Sequence, residues 1–258
     1  MKISGIVSEY NPFHNGHLYQ ILKTRQNGAT HIVSVMSGNY VQRGDISVID
    51  KFKRARLAVN YGVDLVIELP VIYSLSTAET FSRGAVSILN SLGCVDSISF
   101  GSECGSIELL KKSAYASDYF SDSDELKELL KRGESYPSAL QKLCHEKFGG
   151  EISSVFSSPN NLLGIEYIKA LDYFGSDIEP FTITRKNSIH DSDEVTDSFA
   201  SASLIRKLIA NNSDYGNFVP ENVFIELEKA KKSGELHFID NLEQAILYKL
   251  RSMTEADF

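Results

Sequence analysis

Residues 3–17 read ISGIVSEYNPFHNGH. Ile3, Ile6 and Val7, with small Ser4 and Gly5, make a short apolar run that suits a strand buried on both faces, and Asn11-Pro12 signals a chain reversal. Downstream, Leu18, Ile21 and Leu22 recur at helical spacing, which predicts a helix over 14–26 with His14 and His17 on one face of its first turn. Unpaired backbone N–H groups and the positive end of the helix dipole gather there, which makes a phosphate site. Gly16 leaves the backbone open between the two imidazoles. The rings can donate hydrogen bonds to phosphate oxygens and stabilise the charge that grows on departing pyrophosphate, so catalysis here is charge stabilisation rather than covalent attack.

Working outward, strand-like runs near 3–7, 32–35, 65–69, 97–100 and 180–184 are separated by helical patterns near 14–26, 48–61, 77–92, 108–119 and 159–173. This alternation argues for an α/β fold, a Rossmann-like parallel sheet flanked by helices with right-handed crossovers. Residues 121–148 carry helical runs without a strand signal and read as a helical insert. The polar, acidic stretch 186–198 reads as a mobile loop able to close over a nucleotide. After 215 the pattern turns helical again, with Val223, Leu227 and Ala230, then Leu242, Ile246 and Leu250. The expected organisation is a nucleotide-binding catalytic domain over 1–214 and a helical C-terminal region over 215–258, incomplete relative to longer proteins of this kind.

A second candidate phosphate motif is FASASLIR at 199–206. Ser201 or Ser203 can cap a helix starting near Ala202, and Arg206 lies one turn inside it, so hydroxyls, N–H groups and a guanidinium can converge on phosphates. Alone, the segment reads as a capped surface helix with a solvated arginine; paired with the first motif, it reads as the second half of one site. His14-Asn15-Gly16-His17 after an apolar first strand resembles the signature of the HIGH nucleotidyltransferase superfamily, which includes class I aminoacyl-tRNA synthetases and small adenylyltransferases. The 199–206 motif is similar to that superfamily's second signature, small hydroxyl residues followed by a basic one.

A narrower resemblance covers most of the chain. EYNPFHNGHLYQ at 9–20, VMSGNYVQRGD at 35–45, VDLVIELP at 63–70, GAVSILNSLGC at 84–94, FGSE at 100–103 and SPNNLLGIEYIKAL at 158–171 together resemble the bacterial tRNA(Met) cytidine acetate ligase family. That resemblance implies an enzyme that activates acetate with ATP to acetyl-adenylate and pyrophosphate, then acetylates N4 of the wobble cytidine in elongator tRNA(Met). It also implies ATP contacts at Val7, Ser8, Glu9, Tyr10, Asn11, Pro12, Phe13, His14, Asn15, Gly16, His17, Gly101, Asn160 and Arg185. Ser201 and Ser203 join this set through the second motif, and His14, His17 and Arg206 are the expected catalytic groups. Mg2+ is expected only as the counter-ion of ATP, with no resident metal and no prosthetic group.

Several of these positions also have a rationale in the residues. Gly101 follows the apolar run 95–100, at the carboxyl end of a strand where ligands bind, although an ordinary strand-ending turn uses glycine too. Asn160 can cap the helix that follows or read a nucleotide edge, and Asn161 is equally placed for contact. Arg185 ends the run 180–184, where a planar cation can meet phosphate, stack on adenine, or stay solvated. By position alone, Glu9 and Tyr10 stand beside the reacting phosphate, where an acetate pocket would form.

Composition sets the outer limits. A chain of 258 residues with 42% hydrophobic content can bury a full core. No apolar run approaches the roughly 20 residues that span a bilayer, and the start lacks a signal peptide's long apolar segment, so a cytoplasmic protein is expected. Cys94, Cys104 and Cys144 are too few and wrongly spaced for a zinc site or disulfide framework and read as reduced thiols. A net charge of −8 requires any RNA site to be a local basic patch. Lys51, Lys53, Arg54 and Arg56 form the preferred one, ahead of Lys229, Lys231 and Lys232, which read as a solvated helix face. The alternatives are a small-molecule adenylyltransferase using the same ATP site and a non-catalytic, nucleotide-dependent RNA-binding protein; acetate-stimulated exchange between pyrophosphate and ATP separates them from the ligase.

Overall fold

The opening apolar run forms β1 (Ile3–Ser8), the central strand of a five-stranded parallel sheet completed by β2 (His31–Ser37), β5 (Leu65–Leu69), β6 (Ser97–Ser102) and β7 (Glu179–Thr184). The computed structural model describes residues 1–185 and 198–257. The strand order is β5-β2-β1-β6-β7. The chain therefore steps outward from β1 on one side, then returns to fill the other, which puts the topological switch point between β1 and β6. All four pairings are parallel, and Ser8 pairs with Met36 while Ser102 pairs with Thr184, so the carboxyl ends of the strands finish along one edge. A short antiparallel hairpin, β3 (Tyr40–Val41) and β4 (Asp45–Ile46), stands apart from this sheet. Two residues per strand are too few for a period to be visible in the sequence.

Side-chain alternation along β1 divides the core. Ile6 enters one cluster with Ile21, Ile32, Leu57, Ile205, Ile209, Val223 and Leu227, while Val7 borders the other with Phe81, Leu89, Phe100, Leu110 and Ile165. The first cluster is closed by α1 (Asn15–Gln26), α2 (Lys51–Asn60), α10 (Ala202–Ala210) and α11 (Glu221–Ser233). The second is closed by α4 (Ala78–Ser91), α5 (Ile107–Phe120) and α9 (Pro159–Tyr173), entered after the one-turn α3 (Val71–Ser74). The expected insert is helical, as α6 (Asp124–Lys131), α7 (Tyr136–Phe148) and the unforeseen α8 (Gly150–Val155). Gly164 lets α9 lie close on β6, since a Cβ there would come within 2.8 Å of Phe100 Cε2.

One helix start differs from the sequence reading. α1 begins at Asn15, with His14 as its extended N-cap rather than a helical residue, because His14 takes over the free N–H groups itself. Packing is continuous across 214/215: Tyr215, Val219, Val223, Leu227 and Ala230 share the core of Ile6 and Phe13. By contrast, α12 (Glu243–Ser252) has no buried residue. The expected closing loop at 186–198 lies, except for Ser198, outside the described residues. Among the described residues, no helix is long and apolar enough to cross a membrane.

Candidate active site

The site is built where β1 ends. Tyr10 takes a left-handed backbone conformation (φ 46°), which a bulky residue adopts only when its surroundings hold it there. Its ring is 1% exposed, with centroids 5.0 Å from Phe13 and 4.9 Å from His17. Asn11 then ties the turn to the loop after β4: its Oδ1 accepts from the Val48 N–H at 2.8 Å and its Nδ2 donates to the Ile46 carbonyl at 3.3 Å. Glu9 Oε1 accepts from the Gln42 N–H at 2.8 Å, so the hairpin is fastened to β1 at a second point.

His14 and His17 form a reciprocal cap. The Gly16 N–H donates to His14 Nδ1 at 3.0 Å, and the His14 N–H donates to His17 Nδ1 at 3.2 Å. The rings stack with centroids 3.7 Å apart. With each Nδ1 acting as acceptor, the ring proton must sit on Nε2. Burial, reinforced by the positive Arg185, holds the pKa of His14 down to about 3. Burial, then His14 and Arg185, also holds His17 well below its ordinary value. Both rings are thus neutral Nε2–H donors at neutral pH.

The two remaining sides converge on this pair. Ser201 caps α10 by accepting from the Leu204 N–H at 3.2 Å, and Ser203 Oγ lies 3.0 Å from Ser201 Oγ. Of the two serines, Ser201 is therefore the cap. Arg206 donates to the Asn11 carbonyl at 2.9 Å and reaches Asp45 Oδ2 at 3.5 Å. On the β6–β7 side, a Cβ on Gly101 would meet Arg185 Cγ at 3.2 Å, so the glycine leaves room for that side chain to cross the strand end. Arg185 Nη1 donates to Asn160 Oδ1 at 3.4 Å, and Asn160 Nδ2 donates to Glu103 Oε1 at 2.6 Å. Asn160 caps nothing; the Glu103 carboxylate accepts from the Asn161 N–H at 2.9 Å instead. Buried Asn161 accepts from the Glu103 and Cys104 N–H groups, which separates its structural role from the cleft-facing Asn160.

Two clefts meet at the histidine pair. The smaller, about 520 Å³, is bounded by Gly16, Tyr19, Ile183, Thr184, Phe199 and Ala200. The larger, open and about 1360 Å³, carries Ser8, Glu9, Asn160, Ser201, Ser203 and Arg206. Both share His14, His17, Gln20, Gly101 and Arg185. This is a slot and a trough on either side of two neutral N–H donors, which can receive the oxygens of an anion.

Residues 1–258 match the family model described as HIGH nucleotidyl transferase. The chain belongs to the HIGH nucleotidyltransferase family. Within that family it is 42% identical over 257 residues to the tRNA(Met) cytidine acetate ligase of Clostridium novyi (strain NT), covering 96% of this chain and 64% of that protein. The tRNA(Met) cytidine acetate ligase of Caldanaerobacter subterraneus subsp. tengcongensis is 44% identical over 262 residues, covering 98% and 65%. Among solved structures, Thermotoga maritima TmcAL bound with alpha-thio ATP superposes with a TM-score of 0.83 at 36% identity, over 94% of this chain and 59% of that one. The apo form I of TmcAL gives 0.87 at 36% identity, over 98% and 63%. The chain thus spans just under two-thirds of the length of the curated relatives it matches.

Not every expected residue of this HIGH nucleotidyltransferase reaches the clefts. Pro12, Phe13 and Asn15 line neither. Phe13 is fully buried and stacks on Tyr61 at 5.3 Å, while Asn15 donates to the Ser198 and Asn217 carbonyls and ties α1 to the chain around α10. The expected basic RNA patch needs a larger correction. Arg54 is 0% exposed and donates to the carbonyls of Glu9, Ser37, Gly38 and Ile49, so it cannot meet RNA. Lys51 pairs with Glu68 at 2.6 Å, Lys53 with Glu235 and Arg56 with Glu226 at 3.3 Å, so the surface members carry carboxylate partners. Phe81, Phe100, Leu163 and Tyr167 line the larger cleft and were not anticipated. Their helical or strand periodicity marks them only as core.

Proposed function

We propose that this chain activates acetate with ATP, forming acetyl-adenylate and pyrophosphate, and passes the acetyl group to N4 of the wobble cytidine of elongator tRNA(Met). The observation that carries this reading is the pair of clefts meeting at His14 and His17, in a chain about 42% identical to proteins named for that reaction. The nucleoside of ATP occupies the smaller cleft, between Gly16 and the Ile183–Arg185 strand end. Its phosphates lie in the larger one, against the first turn of α10 and Arg206. As an acetate oxygen attacks the α-phosphorus, the bond to the β-phosphate breaks and its electron pair leaves with pyrophosphate. The Nε2–H groups of His14 and His17 and the Arg206 guanidinium stabilise that growing charge without any proton transfer. Mg2+ enters with ATP and neutralises its phosphates. Residues 1–214 carry this chemistry, and 215–258 buttress α1 and α2 through α11.

For tRNA, Lys51, Lys53 and Arg56 are the proposed contacts, exchanging their carboxylate partners for phosphates. The decisive experiment is ATP–pyrophosphate exchange by the purified chain with acetate, formate or no acid, followed by transfer of labelled acetyl groups to tRNA(Met). Acetate-specific exchange supports the adenylation half of the reading. Exchange without acetate, driven by a phosphorylated acceptor, would replace it with a small-molecule adenylyltransferase.

A further inference from the structure

The larger cleft has a wall that the ATP-handling groups leave unexplained. Val7, Phe81, Phe100, Leu163 and Tyr167 line it from β1, α4, β6 and α9, and all five belong to or border one core cluster. Phe81, Phe100 and Tyr167 are only 2%, 5% and 2% exposed, so each shows the cleft little more than an edge. The Phe100 and Tyr167 rings meet at 5.5 Å, and Phe100 is seated against Gly164 with no space for a Cβ between them. Rings so embedded in a close-packed core cannot yield room for an added methylene without displacing neighbours. Glu9 lies close enough to Tyr167 to push its pKa up beyond the effect of burial. An apolar surface of this kind accepts a hydrocarbon chain and disfavours a carboxylate, which it cannot solvate. The rest of the cleft lining, with His14, Arg185 and Arg206, presents N–H donors that suit a carboxylate.

We propose that this wall is the acyl subsite, holding the methyl group of acetate and limiting the length of the carboxylic acid that can be adenylated. The inference rests on the reading that a carboxylate is activated with ATP, and it adds which residues choose the acid. An acid set between the N–H donors and the apolar wall turns its carboxylate toward the α-phosphate over the histidines and its carbon chain toward Val7, Phe81 and Leu163. Each added methylene then meets packed core, and the discrimination expected of a hydrophobic pocket is about 10- to 200-fold per methylene.

The test compares acetate, propionate and butyrate in ATP–pyrophosphate exchange by the wild type, Leu163→Ala and Phe81→Leu. Alongside, binding of acetyl- and butyryl-sulfamoyl adenosine is measured on the same three proteins. The expected result is a wild-type preference for acetate over propionate of at least about 10-fold, which Leu163→Ala narrows by a similar factor. The butyryl analogue should bind the wild type at least about 10-fold more weakly than the acetyl one. Unchanged acid ratios in the folded variants would overturn the subsite, as would equal binding of the two analogues to the wild type, a measurement that needs no variant. Exchange with none of the acids would remove the parent reading, whereas acetate-driven exchange with no length preference would remove the subsite alone.

Discussion

The His14 N–H donates to His17 Nδ1 at 3.2 Å while the Gly16 N–H donates to His14 Nδ1 at 3.0 Å, so one capping arrangement fixes the tautomer of both rings. A side chain that would otherwise sample two tautomers is held with its donor aimed outward, before any ligand arrives. Pre-orientation of this kind is what makes a hydrogen-bond donor effective against transition-state charge, because no reorganisation is needed during the reaction.

Replacing His17 by alanine is expected to lower single-turnover adenylation by at least about 100-fold, the scale of losing one preorganised charge stabiliser. His17→Asn can still accept from the His14 N–H but lacks the Nε2–H, so it should keep the stability of the cap and lose the rate. A folded His17→Ala protein with a near-normal rate would take the ring out of the chemistry.

The neutral pair also sets a pH window for stability. His14 sits at about 3 in the folded chain against an ordinary 6.5, so the unfolded chain takes up the proton first as pH falls. The stability of the neutral ring is fully present above pH 6.5 and is lost as pH drops toward 3, by up to about 1.4 kcal/mol per pH unit for one group. Urea unfolding midpoints at pH 7.5, 6 and 5 should therefore decline, and more shallowly in His14→Gln. An equal slope in the variant would assign the acid sensitivity elsewhere.

Much of this was legible in the sequence because the signals were local. The five sheet strands and the helices between them follow from apolar periodicity, and the histidine and serine motifs carry their geometry within four to eight residues. The β3–β4 hairpin was not legible, since it is held by Asn11 and Glu9 from the end of β1. Arg54 misled for the same reason: on α2 it sits in a basic run, and only the fold turns it toward the carbonyl ends of β1 and β2. The acyl wall draws on four elements and reads, residue by residue, as ordinary core.

Arg206 touches the Asn11 carbonyl and Asp45 from a side chain 25% exposed, so its interactions are positional rather than structural. Arg206→Ala should weaken ATP-dependent turnover by roughly 10- to 1000-fold, as for a lost electrostatic stabiliser, while shifting the melting temperature little. Arg206→Lys restores the charge but not the planar fork, and should recover only part of the loss. Wild-type kinetics in Arg206→Ala would return the residue to the solvated surface of α10.

Arg54 makes the opposite prediction. Its guanidinium is buried and satisfied by four carbonyls, and burial draws its pKa down to about 10, partly offset by Glu9, Asp50 and Glu68. Removing it with Arg54→Met leaves the Glu9, Ser37 and Gly38 oxygens without this donor at the edge that carries the site. The expected loss is at least about 1–3 kcal/mol in denaturant unfolding, the range for leaving buried neutral acceptors without their donor. Under conditions where the variant stays folded, the salt dependence of tRNA binding should match wild type. Lys51→Ala and Arg56→Ala should instead leave stability within about 1 kcal/mol and reduce the salt slope by roughly one each if they reach phosphates. A reduced slope in Arg54→Met with unchanged stability would reverse the assignment and bring the arginine back to the surface.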